Sequence, residues 1–170
     1  HNQDFPLQHQ IAVVPHSICL GGRSYSEGVN ITSEEFLAQL DNHDNSPEIV
    51  APSPEEFAAQ FRNLSSSTYE IICLCVSSRL SCAWQHASQA AQPLLGKMDI
   101  AVVDSQTIST GLGVLVRAAA EAVVEDVDLS SLRSLIRNMI PRIYSAFFSD
   151  SLIYMHRFGR AGTSQAILGD

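Results

Sequence analysis

Basic residues are scarce in this chain: lysine occurs once, at Lys97, and ten lysines and arginines face eighteen carboxylates, for a net charge of −8. Gripping a nucleic-acid backbone needs clustered cations to neutralise phosphates, so DNA and RNA are not expected partners. Long apolar runs are also missing. No stretch approaches the ~18 residues of a membrane span, and the polar start His1-Asn2-Gln3-Asp4 lacks the charged and apolar regions of a signal peptide. The cytoplasm is the expected location. Cysteine occurs four times, at 19, 73, 75 and 82, but never as CxxC, so four sulfurs converging on zinc are not expected. Reduced, mostly buried thiols are the expectation. Neither GxGxxG nor GxxxxGK[ST] is present, and the six histidines form neither HxH nor HExxH. No metal or cofactor site follows from such a set.

What is present suits one packed unit. With 45% hydrophobic and 16% charged residues over 170 positions, the chain can bury a sizeable core, and a single α/β domain over 1–170 is the expectation. Charge is uneven. Residues 1–130 hold sixteen of the carboxylates, whereas 131–170 carry Arg133, Arg137, Arg142, Arg157 and Arg160 against Asp150 and Asp170. A mildly basic tail of this kind suits a solvated surface or an acidic partner.

Periodicity and caps divide the chain. Ile11 to Val14 and Ser17 to Leu20 read as a strand interrupted by Pro15, with a turn at Gly21-Gly22 and a short hairpin over Arg23 to Ile31. Thr32 with Glu35 predicts a capped helix carrying Phe36, Leu37 and Leu40, and 41–52 reads as loop. Ser53-Pro54-Glu55-Glu56 is a second capping box, opening a helix with Phe57, Phe61 and Leu64 on one face. Ser65-Ser66-Ser67 ends it. The short apolar runs Tyr69 to Val76 and Asp99 to Val103 have the composition of parallel strands buried on both faces. Helices are predicted over about 82–95, stopped by Gly96, over 106–125, apolar enough to be largely covered, and along Leu129, Leu132, Ile136, Met139 and Ile140. A last strand at Ile143 to Phe148 and a short helix near 151–157 complete the pattern. Alternating strands and helices imply a mainly parallel sheet with helices on both faces, and ligands bind such sheets beyond the carboxyl ends of the strands. The loops there are Ser77 to Ser81, Asp104 to Gly111, and Ser149-Asp150, rich in hydroxyls and poor in charge.

The loop Ser77-Ser78-Arg79-Leu80-Ser81-Cys82-Ala83 joins a buried strand to a helix start, which favours an anion such as a carboxylate or phosphate oxygen; the plainer alternative makes Ser81 only an N-cap. A nucleophilic Ser81 or Cys82 with His86 as base lacks an orienting third group. His16 and His156 stand beside apolar residues as ordinary imidazoles, and Gly111 and Gly113 are better explained by close helix packing than by phosphate binding.

Several stretches, taken in order, resemble the DegV family of bacterial fatty-acid-binding proteins: Val13-Val14-Pro15, Tyr25-Ser26-Glu27-Gly28-Val29, Glu34-Glu35-Phe36, Ala51 to Phe57, Ser77 to Ala83, Val103-Asp104-Ser105 with Gly111-Leu112-Gly113, and Leu152 to Arg160. The resemblance implies an α/β lobe that holds a long acyl chain and, in some members, presents the fatty acid to a fatty acid kinase. It covers the family's N-terminal domain, without the DSxxDLP opening strand before Phe5-Pro6 and without a second domain after Asp170. A sheet lacking that strand has an open edge, which homodimerisation would cover.

Carried over by resemblance, Ser81 falls on the serine that binds the carboxylate, and Cys82-Ala83 on the Gly-Thr that follows it. Ile49-Val50 fall on a Thr-Ser that helps bind the same group, and Arg160 on an arginine suited to a kinase or acyl-phosphate contact. Each lost hydroxyl removes a bond to a charged acceptor of ~1.5–3 kcal/mol, or about tenfold or more in affinity. The expected function is therefore binding of a long-chain fatty acid, with no cofactor and no catalysis. The alternatives are a scaffold that kept the fold and lost the ligand, which Ile49 and Val50 favour, and, further behind, an acyl hydrolase.

Overall fold

The computed structural model describes residues 5–40 and 47–146. A four-residue helix α1 (Phe5–Gln8) leads to a hairpin of β1 (Ser17–Leu20) and β2 (Arg23–Ser26). Gly21 and Gly22, at φ 57° and 76°, form the two-residue turn, a conformation that glycine adopts without Cβ strain. The expected hairpin within Arg23 to Ile31 is thus displaced: β1 supplies the partner strand, in register Ser17↔Ser26 to Leu20↔Arg23. Of 27–31, only an isolated bridge between Glu27 and Ile31 remains. Residues 11–16 are not strand either.

The Thr32 box holds as expected, with Thr32 N–H donating to Glu35 at 2.8 Å and Glu35 N–H to Thr32 Oγ1 at 3.1 Å, and α2 (Ser33–Leu40) follows. Within the predicted loop 41–52 lies a short strand, β3 (Glu48–Val50), antiparallel to β1 with Ser17↔Val50 and Ile18↔Ile49. All three of its residues are exposed, so no alternation marked it. This β2-β1-β3 sheet has its own small core of Ile18, Leu20 and Ile31, with Tyr25 and Phe36 against it.

The parallel sheet is built from β4 (Glu70–Cys75) and β5 (Asp99–Asp104), paired from Glu70↔Asp99 to Cys75↔Asp104. Alternation sends Ile71, Cys73, Cys75, Ile100 and Val102 to one face and Ile72, Leu74 and Val103 to the other. Helices α3 (Pro54–Leu64) and α4 (Ala83–Ala91) cover the first face, and α5 (Thr110–Val124) with α6 (Leu129–Met139) the second. The expected α/β architecture, a parallel sheet between helix layers, is what the chain builds, with the antiparallel sheet added to it.

Local chemistry explains these helices. Ser53 and Glu56 close the capping box, Ser53 N–H to Glu56 at 2.7 Å and Glu56 N–H to Ser53 Oγ at 3.2 Å. Phe57 and Phe61, one turn apart, enter the core with ring centroids 6.3 Å apart. At the far end, the hydroxyls of Ser65, Ser66 and Ser67 donate back to the carbonyls of Arg62, Asn63 and Leu64, beside the backbone N–H groups that Asn63 and Leu64 also accept there. The buried face of α4 is all alanine, at 83, 87, 90 and 91, which lets it lie close to the sheet. It ends in a single 3-10 turn (Gln92–Leu94) before Gly96, at φ 80°. Helix α6 is capped by Asp128, which accepts from Ser131 N–H at 3.0 Å.

Helix α5 departs from expectation. Leu115, Ala119 and Ala122 are buried, but Val114, Val123 and Val124 are 46%, 58% and 73% exposed, so one face is uncovered among the described residues. Residues 143–146 are not strand; Ile143 instead packs on the α5–α6 core. Phe147, Phe148, the loop Ser149-Asp150, and the helix predicted near 151–157 with His156 lie outside the described residues, as does Arg160. Among the described residues no helix is long and apolar enough to cross a membrane. The four cysteines carry no disulfide; Cys75 is buried, Cys19 and Cys73 are half-buried, and Cys82 is exposed. The bonded Cys73 sulfur, 3.8 Å away, and burial push the Cys75 thiol well above its usual range.

Candidate functional site

The carboxyl ends of β4 and β5 open into two loops that are tied together. Ser77 N–H donates to Thr107 O at 2.9 Å, and Ser105 N–H to Cys75 O at 3.1 Å. Asp104 fastens the crossing: its carboxylate accepts from Ser78 Oγ at 2.5 Å and from the N–H groups of Ser78 and Gln106 at 3.0 Å each. Partial burial works to raise this carboxyl, but those hydrogen bonds and nearby Arg79 prevail and hold it below the ordinary carboxylate value. Buried Ser105 and Thr107 form a small turn beneath it, Ser105 Oγ donating to Thr107 O and accepting from Thr107 N–H. Gly111 sits against this turn: a Cβ there would collide with Thr107 Oγ1 and lie 3.1 Å from Ile143 and Ser145. Close packing accounts for Gly111, as expected; it does not account for Gly113, which faces open space.

From the fixed Ser78 the chain makes a tight turn, Leu80 N–H and Ser81 N–H both donating to Ser77 O, at 2.9 and 3.1 Å. That turn sets Ser81 just before α4. Cys82 is the N-cap residue and makes no side-chain cap; Ser81 Oγ supplies the missing acceptor, taking the Ala83 N–H at 3.2 Å. Ser81, Cys82 and Ala83 therefore meet at the amino end of α4, where the helix dipole and first-turn N–H groups favour an anion. Ser81 is half-buried, Cys82 exposed and Ala83 buried.

Ser81 has a partner that sequence reasoning missed. His16 Nε2 lies 2.8 Å from Ser81 Oγ, across 65 positions of chain. No sequence spacing signals this pair; the antiparallel sheet makes it, because β1 begins one residue after His16. Burial lowers the His16 pKa from its ordinary 6.5, against an opposing pull from Glu27, so the imidazole is held towards its neutral form. His86, the base considered for a nucleophile here, faces elsewhere, its Nδ1 lying 2.7 Å from Pro52 O.

Ile49 and Val50 lie on β3 opposite Ile18 and Ser17 of β1, and as neighbours on a strand they point to opposite faces of the sheet. Val50 pairs with Ser17, next to His16, and the two side chains are 63% and 41% exposed. Leu80, beside Ser81, is 43% exposed. The result is a polar Ser–His pair at a helix start, with exposed Leu80 next to it in the chain. A groove of about 430 Å³ lies next to Asp104, beside β5, walled by Trp84, Val102, Arg137 and Ile140.

Comparison with known proteins agrees with this architecture. The model of a family described as uncharacterised proteins of the DegV family matches residues 2–170. A DegV domain-containing protein of Caldanaerobacter subterraneus subsp. tengcongensis is 35% identical over 167 residues, covering 98% of this chain and 59% of its own. Among solved structures, a fatty-acid-binding DegV family protein from Thermus thermophilus is 29% identical with a TM-score of 0.85, over 99% of this chain and 60% of that one. DegV of Bacillus subtilis, described as a fatty acid binding protein, shares the fold at a TM-score of 0.88 and 22% identity, over 100% of this chain and 60% of its own. The chain thus spans about 60% of the length of these relatives. It belongs to the DegV family.

Proposed function

We propose that the chain binds a long-chain fatty acid whose carboxylate sits at Ser81 and the Cys82 amide, and that it performs no chemistry on it. The observation that supports this reading is Ser81 Oγ at the amino end of α4, with the exposed side chain of Leu80 next to it in the chain. An anion with an alkyl tail matches both halves of such a surface. The fatty-acid binding described for the Thermus relative supports the same reading.

Ile49 and Val50 cut two ways. Without hydroxyls they bring no side-chain hydrogen bonds to the head group, yet either one that met the acyl chain would give it apolar contact, at roughly 0.8 kcal/mol per buried CH₂. In this reading residues 1–170 act as one cytoplasmic lobe, open to self-association, that presents the acid to a fatty acid kinase, with Arg160 as the contact for kinase or acyl-phosphate. The second reading, a scaffold without ligand, draws on the exposure of Ile49 and Val50, where a carboxylate would meet hydrocarbon.

Loading with oleate separates the two. Ser81→Ala removes one bond to a charged acceptor, and retention of oleate should fall about tenfold or more while the circular dichroism spectrum stays that of the parent. Failure of the parent chain to retain oleate would leave the scaffold reading; equal retention by parent and variant would move the carboxylate away from Ser81.

A further inference from the structure

Ile49 and Val50 have no side-chain donor to offer a carboxylate, whereas His16 lies at hydrogen-bond distance from Ser81. We propose that His16 is a second ligand of the carboxylate, taking up a proton as the anion binds, so that lipid affinity rises on acidification. This rests on the placement of the carboxylate at Ser81.

With Nε2 at 2.8 Å from Ser81 Oγ, His16 can share with that hydroxyl an oxygen placed on the side the two groups have in common. Ser81 Oγ and the imidazole nitrogen are hydrogen-bonded to each other, and Ser81 Oγ also accepts from Ala83 N–H. A neutral imidazole donates from Nε2 only in its Nε2–H tautomer and brings no charge; the protonated form donates from Nε2 in every case and adds a positive charge. Burial holds the empty-site imidazole towards neutrality, and a carboxylate within hydrogen-bond reach works the other way.

Of the charged and titratable groups around the site, Glu27 is the one that acts on His16, and it favours the protonated form. Asp104 is engaged by Ser78 and Gln106, with Arg79 acting on it, and the His86 ring nitrogen is taken up by Pro52 O. Cys82 is exposed at the rim.

The sign follows from linkage. An imidazole that titrates below 6.5 when empty and above it when the anion is bound takes up a proton on binding between those two values. In that window the complex tightens as pH falls, by about tenfold for each unit by which the anion raises the pKa.

The test is isothermal titration of the full chain with sodium dodecanoate from about pH 7.5 to about pH 5.5, with dodecanol as the uncharged control, beside an NMR titration of the histidine rings. Dodecanoate should tighten about tenfold across this range and dodecanol should not change. One of the six imidazoles should titrate below 6.5 in the empty protein and above it in the complex. His16→Gln should abolish the pH slope and weaken binding about tenfold at the acid end; the NMR readout uses the unaltered chain and stands whether or not the variant folds. Dodecanoate binding with no pH slope, or with every imidazole pKa unmoved, overturns the role of His16 and leaves the Ser81 site standing. Absence of dodecanoate binding at every pH overturns the fatty-acid reading itself and this inference with it.

Discussion

Asp104→Asn isolates the clamp that positions the Ser81 loop. The variant keeps the shape of the side chain, its remaining oxygen can still accept from Ser78 and Gln106 N–H, and its amide can donate to a reoriented Ser78 hydroxyl. What disappears is the charge. Hydrogen bonds to a charged acceptor contribute about 1.5–3 kcal/mol against about 0.5–1.5 for neutral ones, so three bonds lose roughly 3 kcal/mol before screening. The carboxylate is partly exposed, and solvent screening reduces this to about 1–2 kcal/mol. For a domain of this size the melting temperature should fall by about 2–8 °C near neutral pH.

The pH dependence supplies the sharper check. The folded-state pKa of Asp104 lies below its ordinary 3.8, so its stabilisation is fully present well above that value and is lost as pH falls through the folded pKa. Urea unfolding of parent and variant at several pH values should show a constant gap from about pH 7 to about pH 5, closing towards about pH 3. Equal stability at neutral pH, or a gap that persists undiminished in acid, would refute the clamp.

Two further substitutions probe the frame. Phe61→Ala empties a buried position in the core that α3 shares with α4 and the parallel sheet and should cost about 3–5 kcal/mol in urea unfolding. Gly111→Ala drives a methyl into Thr107 Oγ1 and crowds Ile143 and Ser145, so stability should drop by about 1–3 kcal/mol, whereas Gly113→Ala, with open space in a helix interior, should gain about 0.5–1 kcal/mol by calorimetry.

Elements whose stability is local were legible in the sequence. The Thr32 and Ser53 boxes name their own partners three residues away, and the run Glu70 to Cys75 declares a strand buried on both faces because nothing in it belongs in water except its first residue. The hairpin was harder, since Arg23 to Ser26 forms a strand only through its pairing with Ser17 to Leu20. Strand β3 left no trace, being three exposed residues held by β1 alone. The exposed valines of α5 mislead in the opposite direction, because hydrophobicity counts residues without saying which face meets the core.

The candidate site divides in the same way. The Ser77 to Ala83 loop was recognisable from its place between a buried strand and a helix. His16 was not, because its contact with Ser81 depends on how the antiparallel sheet docks beside α4, a tertiary event with no spacing to betray it. His86, one turn beyond Cys82, looked the nearer base and is engaged by the carbonyl of Pro52.

The most direct test of the central claim is to purify the protein in its native state, extract it under denaturing conditions, and identify co-purified small molecules by mass spectrometry. A long-chain fatty acid at stoichiometric amount, depleted in Ser81→Ala, is the predicted result. A chain that carries no fatty acid and fails to take up added oleate would contradict it.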